Sequence, residues 1–190
     1  MKLIGVGGTN GSGKDTLGEF LADEYGWMFV SVSQILRDEL KKEGLPQDRH
    51  HTHQLSARWR RENGTGVLID KAVQKYKASK ADYNGLVVSS LRNPGEADEV
   101  HRLGGKVVWL DADIKLRYER ATSRSHGRVE DKQTFEEFID DEQHQMNHSG
   151  DQATLNMNGV KAKADIFITN DSDDINTFKR SIGKALAGLI

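Results

Sequence analysis

One short segment near the amino terminus constrains this chain more than any other: Gly8-Thr9-Asn10-Gly11-Ser12-Gly13-Lys14-Asp15-Thr16. An apolar run, Leu3 to Gly7, precedes it, and Leu17, Phe20, Leu21 and Tyr25 follow at helical spacing before Gly26. The pattern predicts a strand, a tight loop and an amphipathic helix. Glycines in such a loop let successive backbone N–H groups point inward, so several negative charges can be met without bulky side chains in the way. The helix that starts near Lys14 adds its positive dipole end and free amide donors. Gly8, Asn10, Gly11, Ser12, Gly13, Lys14, Asp15 and Thr16 are therefore the expected wall of a nucleotide phosphate site. Lys14 would reach the β- and γ-phosphates, and the Thr16 hydroxyl would serve a metal ion or a phosphate. ATP with Mg²⁺ is the ligand this chemistry implies.

The general pattern for such loops has Ser or Thr directly after the lysine. Here Asp15 stands in that place and the hydroxyl comes one residue later. The spacing Gly-x-x-Gly-x-Gly-Lys-x-Thr fits Gly8, Gly11, Gly13, Lys14 and Thr16 without a gap, and it resembles the loop of adenylate kinases and related nucleoside monophosphate kinases.

Beyond the loop, short β-branched runs alternate with helical patterns, which predicts repeated βα units around a parallel sheet. Strands are expected at Trp27 to Val32, Leu86 to Ser89, Lys106 to Asp111 and Asp165 to Thr169. No strand interrupts residues 47–81, where two helices are expected, one with Leu55 and Trp59, the next with Leu68, Ile69, Ala72 and Val73. Asn93-Pro94 opens a helix, as does the capping-box pattern Thr134-Phe135-Glu136-Glu137. Residues 147–159 read as loop with a short helical turn. The expected fold class is a three-layer α/β/α sandwich on a five-stranded parallel sheet, helices on both faces. It forms a single domain over residues 1–190, with a helical acceptor-binding insertion at about 33–83 and a short lid at about 124–134.

The charges nearly cancel, 27 Lys and Arg against 29 Asp and Glu, which gives no electrostatic reason to expect nucleic acid or an anionic membrane as partner. The chain has no cysteine, so thiolate metal sites, disulfides and cysteine nucleophiles are excluded. No stretch approaches the roughly 18 apolar residues of a membrane span, and a cytoplasmic location is the expectation.

Ligands of open α/β sheets lie beyond the carboxyl ends of the strands, so the residues after each strand matter most. Ser31-Val32-Ser33-Gln34-Ile35-Leu36-Arg37 resembles the Ser-Thr-Gly-Asp-Met-Leu-Arg segment of adenylate kinases, which implies that Ser31 and Arg37 hold the acceptor's phosphate, with Gln34 replacing the acidic residue. Ser89-Ser90-Leu91-Arg92-Asn93-Pro94 is similar to the Asp-Gly-Ile-Arg-Ser-Pro element of an archaeal nucleotide-kinase-like family, which implies an acceptor role for Arg92. The aspartate that would order a magnesium-bound water is Ser89 here, leaving Asp15 or Asp111 to contribute instead. The run from Asp111 to Arg124 resembles the stretch from strand to lid in adenylate kinases, which implies that Arg120 and Arg124 contact ATP and that Arg128 joins the substrate site. Lys14, Arg92 and Arg124 are the catalytic candidates on this reading. Arg117 shares the helical face of Arg120 and Arg124, and a solvated cationic face is the plain alternative for all of them.

The helical insertion carries Arg58, Arg60 and Arg61 beside Trp59; Arg58 is the acceptor candidate, with bare surface as the alternative. His50, His51 and His53 are irregularly spaced in a polar stretch and are expected to be solvated. The resemblance implies ATP-dependent phosphoryl transfer to a nucleoside monophosphate-like small molecule. Dephospho-CoA kinase, with a hydroxyl acceptor, and a non-catalytic nucleotide-binding regulator stay open beside it.

Overall fold

The computed structural model describes residues 1–79, 81–123, 133–147 and 150–190. Five strands, β1 (Leu3–Gly8), β2 (Met28–Ser31), β3 (Leu86–Leu91), β4 (Lys106–Asp111) and β5 (Ile166–Thr169), form one parallel sheet in the order β2-β3-β1-β4-β5. The central strands β1 and β3 are buried along their whole length, as apolar runs covered on both faces must be. From β1 the chain runs out to the β2 edge, and from β3 it crosses β1 to reach β4. The direction of winding thus reverses at β1 and β3, and their carboxyl ends frame a crevice.

Helices cover both faces. On one side α1 (Lys14–Tyr25) and α9 (Ile175–Leu186) enclose a core of Leu17, Phe20, Leu21, Phe178, Ile182 and Leu186 against Ile4, Val6, Val87 and Val108. On the other side lie α2 (Val32–Lys42), α3 (Arg49–Asn63), α4 (Val67–Ala78), α5 (Pro94–Arg102) and α8 (Met157–Ala162). Leu55, Trp59, Leu68, Ile69 and Ala72 join Val88, Val100 and Val107 there, so the two inserted helices share one apolar cluster with the sheet. The remaining helices are α6 (Ile114–Ser123) and α7 (Phe135–Met146).

Local chemistry sets the boundaries. Gly26 ends α1 in the left-handed conformation, φ 66°, and its N–H caps the Ala22 and Leu21 carbonyls. Thr134 and Glu137 close the expected capping box of α7. A second box at α5 joins Asn93 to Glu96. Where a short turn was expected in residues 147–159, α8 forms at the end of that stretch, capped by the Asn156 side chain and held by buried Met157 and Val160. Among the described residues no helix is long and apolar enough to cross a membrane.

Candidate functional site

The loop leaves β1 with backbone that only glycine accepts. Gly11 has φ +79°, and a Cβ on it would lie 2.4 Å from the Arg117 carbonyl oxygen. Gly8, at φ +149°, would put a Cβ 2.2 Å from the Leu110 carbonyl oxygen. These contacts press the loop against β4 and α6 and leave its inner side open. Ser12 is fully buried, its hydroxyl donating to the Thr9 carbonyl at 2.8 Å, so it shapes the loop from within. Asn170, following β5, donates to the Ser12 carbonyl at 2.9 Å.

Lys14 opens α1 and its Nζ donates to the Thr9 carbonyl at 2.6 Å. Burial first, and then the nearby Arg92, lower its pKa to about 7, against the raising effect of Asp15. A cation held in this state is poised to gain an anionic partner, which would restore its charge. Asp15 is exposed at the mouth of the loop and accepts a hydrogen bond from the Ser89 hydroxyl at 3.1 Å.

Opposite the loop stands a wall drawn from several elements. Ser31, Val32, Ser33, Leu36 and Arg37 come from the end of β2 and the start of α2; Arg49, Thr52, His53, Ser56 and Arg60 from α3; Ser90 and Arg92 from the end of β3. Asn10, Gly11, Gly13, Lys14 and Asp15 line the facing side, and Asp15 is the only carboxylate among the described lining residues. Ser90 is bulged out of the β1–β3 ladder, where the register passes from Val6↔Ser89 to Gly7↔Leu91. At φ 73° it is the only non-glycine residue with positive φ among the described residues, a strain that persists only where the surroundings impose it.

The floor of this wall is a buried ion pair. Arg60 donates to Glu96 at 2.7 Å with side chains 2% and 0% exposed. The Arg60 guanidinium also reaches Ser56 Oγ and the Ala153 carbonyl. The second Glu96 oxygen accepts from the Arg92 and Asn93 backbone N–H groups. Burying a charge is costly unless it is paired and saturated with hydrogen bonds, and this pair meets both conditions. Helix α7 holds three more guanidiniums: Arg92 on Gln145, Arg49 on Asp141 and Arg117 on Glu142. Burial and the nearby Arg49 lower Arg92 to about 10, still fully charged at neutral pH. His53 is lowered to about 4 by burial, then by Arg92, Arg49 and Arg60, and is a neutral imidazole at pH 7.

The expected ligands fall into three groups. Asn10, Gly11, Gly13, Lys14, Asp15, Ser31, Arg37 and Arg92 line one crevice. Gly8, Ser12, Thr16, Arg58 and Arg120 do not line it. Arg58 points outward, half-exposed, and pairs with Glu43 at 2.7 Å, because it falls on the face of α3 opposite Ser56 and Arg60. Arg120 donates to the Asn170 and Ser172 carbonyls, both at 2.8 Å, bracing the turn after β5. Arg117 is a buried strut, bonded to Ala112 and Asn10 carbonyls as well as Glu142. Arg124 and Arg128, and most of the expected lid, lie outside the described residues.

Sequence reasoning missed Arg49, His53, Arg60 and Glu96. The three histidines, expected to be solvated, sit in α3, where His53 faces the crevice and His51 pairs with Asp48. A signal was available in the spacing of Arg49, His53, Ser56 and Arg60, which runs along one helical face, and in Asn93-x-x-Glu96, a capping-box pattern.

The comparisons agree with this fold. Residues 4–146 match the AAA-domain family. A UPF0200 protein of Pyrococcus abyssi is 30% identical over 184 residues, covering 95% of this chain and 92% of the relative. The chain belongs to the UPF0200 family and carries an AAA domain. Among solved structures, shikimate kinase from Bacteroides thetaiotaomicron superposes with a TM-score of 0.64 at 15% identity, covering 98% of this chain and 97% of that one. A gluconokinase from Sinorhizobium meliloti 1021 superposes with a TM-score of 0.54 at 18% identity, covering 99% and 93%. The UPF0200 chain therefore has the P-loop kinase fold. The resemblance to nucleoside monophosphate kinases holds at that coarser level.

The residues present fit a magnesium ion that arrives with phosphates. Among the described residues no group of three or more His, Asp or Glu side chains could hold a metal. Mg²⁺ in nucleotide sites takes one or two protein oxygens and completes its shell with phosphate and water. Asp15, exposed at the mouth of the loop, is the carboxylate that would supply such an oxygen. Asp111 is committed elsewhere: its Oδ1 accepts from the Thr9 hydroxyl at 2.8 Å and from the Ala112 N–H at 2.9 Å.

Proposed function

We propose that this UPF0200 protein transfers the γ-phosphoryl group of ATP to a small, phosphate-bearing acceptor of the nucleoside monophosphate kind. The observation that carries the reading is the crevice itself, with Lys14 on one side and Arg37, Arg49 and Arg92 on the other, and Asp15 as its single described carboxylate. Such a surplus of guanidinium suits an anion, since the planar fork meets phosphate oxygens bidentately and stays charged.

In the transfer, an oxygen of the acceptor's phosphate forms a bond to the γ-phosphorus. The bond from that phosphorus to the β–γ bridging oxygen breaks, and ADP leaves with the electron pair. An anionic acceptor has no proton to surrender, so no general base is required. The protein's part is to align the two phosphates and neutralise charge on the moving oxygens. Lys14 and the loop amides hold the donor phosphates, while Arg37 and Arg92 hold the acceptor. When bound, magnesium neutralises the β- and γ-phosphate oxygens. The neutral His53 lends hydrogen bonding without repelling the neighbouring guanidiniums.

Dephospho-CoA kinase activity is the second reading, because the exposed Asp15 carboxylate beside the loop is of the type that could take a proton from a hydroxyl acceptor. A coupled ADP-release assay across ribo- and deoxynucleoside monophosphates and dephospho-CoA separates the two. Turnover on a nucleoside monophosphate, lost in Lys14→Ala, is the expected result. Turnover on dephospho-CoA alone would promote the second reading. Tight ATP binding with no turnover on any acceptor would instead identify a nucleotide-binding regulator.

A further inference from the structure

The general P-loop pattern divides the labour at Mg²⁺ between a hydroxyl directly after the loop lysine and a carboxylate at the end of a neighbouring strand. In this chain each position holds the other's chemistry. Asp15 follows Lys14, and Ser89 lies near the carboxyl end of β3, just before the Ser90 bulge, paired in register with Val6 of β1. The two side chains touch, the Ser89 hydroxyl donating to Asp15 Oδ1 at 3.1 Å. We propose that the magnesium-side pair is inverted in this protein, with Asp15 supplying the carboxylate and Ser89 the supporting hydroxyl. The proposal rests on the nucleotide-binding reading above and moves the metal role from Thr16 to Asp15.

Several observations favour Asp15 over the alternatives. Ser89 is fully buried, so its hydroxyl has a fixed direction and can orient a carboxylate. Asp15 is exposed and lines the crevice, whereas Thr16 does not line it. Asp111, the other carboxylate near the loop, already accepts two hydrogen bonds and lies 3.7 Å from the Arg117 Nε.

The inversion has a consequence for binding. A carboxylate in the first turn of α1 shares its neighbourhood with the phosphates that the loop gathers. Without a divalent cation, these like charges repel; with one, the cation is held by both. Nucleotide affinity should therefore depend on magnesium far more than when a neutral hydroxyl occupies the position.

The test is equilibrium binding of ATP to the full chain by calorimetry, in Mg²⁺ and in EDTA, with no acceptor present. The wild-type protein should bind at least about tenfold more weakly in EDTA, the scale expected for one uncompensated charge contact near a protein surface. Asp15→Asn, which keeps the shape and removes the charge, should bind metal-free ATP more tightly than wild type and lose most of the magnesium dependence. Asp15→Ser should behave likewise, and the exchange Asp15→Ser with Ser89→Asp should restore a carboxylate and the dependence together. Unchanged melting midpoints would confirm that the variants are folded. If wild type binds Mg·ATP but Asp15→Asn keeps the full dependence, the inversion is wrong and the nucleotide site stands. If wild type binds ATP in neither condition, the nucleotide reading fails and takes the inversion with it.

Discussion

The two sides of the crevice are built on different principles. The loop side is one continuous segment, and its chemistry comes mostly from backbone: N–H groups, a helix start and glycine φ angles that keep the loop pressed on Leu110 and Arg117. The acceptor side is assembled from α2, α3 and β3, with Arg49 and Arg92 tied back to α7 and Arg60 to Glu96 of α5, and its chemistry is in side chains. The first is written in one local segment, which the sheet and α6 then hold in place. The second exists only when the whole fold has closed. Stability should therefore be staked on the acceptor side, and ligand response on the loop side.

Glu96 gives that contrast its largest test. Its carboxylate closes the capping box of α5, fixes the Arg92 backbone and neutralises Arg60 at 0% exposure. Glu96→Ala leaves a buried guanidinium without its counter-charge and should destabilise the protein by about 3–5 kcal/mol in denaturant unfolding. If the loss is under about 1 kcal/mol, the acceptor side does not stand on this pair, and the contrast with the loop fails.

Lys14 is the corresponding probe of the loop side. Its pKa of about 7 in the empty site lies below its ordinary 10.5. Between these values the unfolded chain holds a proton that the native chain lacks, so the contribution to stability rises with pH across that window. Phosphate binding has the opposite slope, because it requires the charged amine. ATP affinity should fall as pH rises above about 7, by up to tenfold per unit, with proton uptake visible as a dependence of the binding heat on the buffer's ionisation enthalpy. Affinity that stays flat from pH 7 to pH 9 would mean that Lys14 is already charged in the empty site.

The same division explains what was legible in the sequence. All five strands, the loop, Gly26 as a helix stop and the Thr134 capping box follow from spacing and local chemistry. Arg92 is marked too, because it directly follows β3, whereas Arg37, within α2, is marked only by the resemblance of Ser31 to Arg37 to the adenylate kinase segment. Arg49, His53 and Arg60 were not legible in the same way. Their role depends on which face of α3 turns toward the sheet, and the arginine-rich run Arg58-Trp59-Arg60-Arg61 offers both faces equally. Trp59 and Leu55 mark the buried side, but the polar residues on its edge carry no mark of their own. The partners Asp141, Glu142 and Gln145 lie some 25 to 92 residues away in the chain from the arginines they hold, beyond the reach of any local pattern.

Gln145 offers a middle-sized test of that long-range assembly. It is buried on α7 and accepts from Arg92. In Gln145→Ala, Arg92 keeps its backbone anchor to Glu96 but loses the partner that aims its guanidinium. The acceptor KM should rise several-fold while ATP affinity is unchanged, since a hydrogen bond to a charged group is worth about 1.5–3 kcal/mol at most. Equal losses toward both substrates would show that α7 acts on the loop as well, through Glu142 and Arg117.

Arg58 should give the smallest effect. It lies on the same helix as Arg49 and Arg60, and by composition alone it is as good a phosphate ligand as either. Its side chain is 48% exposed and is paired with Glu43, itself 33% exposed, so solvent screens the contact. Arg58→Ala should shift stability by about 0.5 kcal/mol or less and leave the acceptor KM where it was. Arg49→Ala, on the inward face, should raise that KM while leaving ATP binding in place. The two variants remove the same charge from the same helix, so any difference between them reports direction alone. Equal effects would show that the crevice attracts its acceptor through the general field of α3, and that the inward face of that helix is not a binding wall.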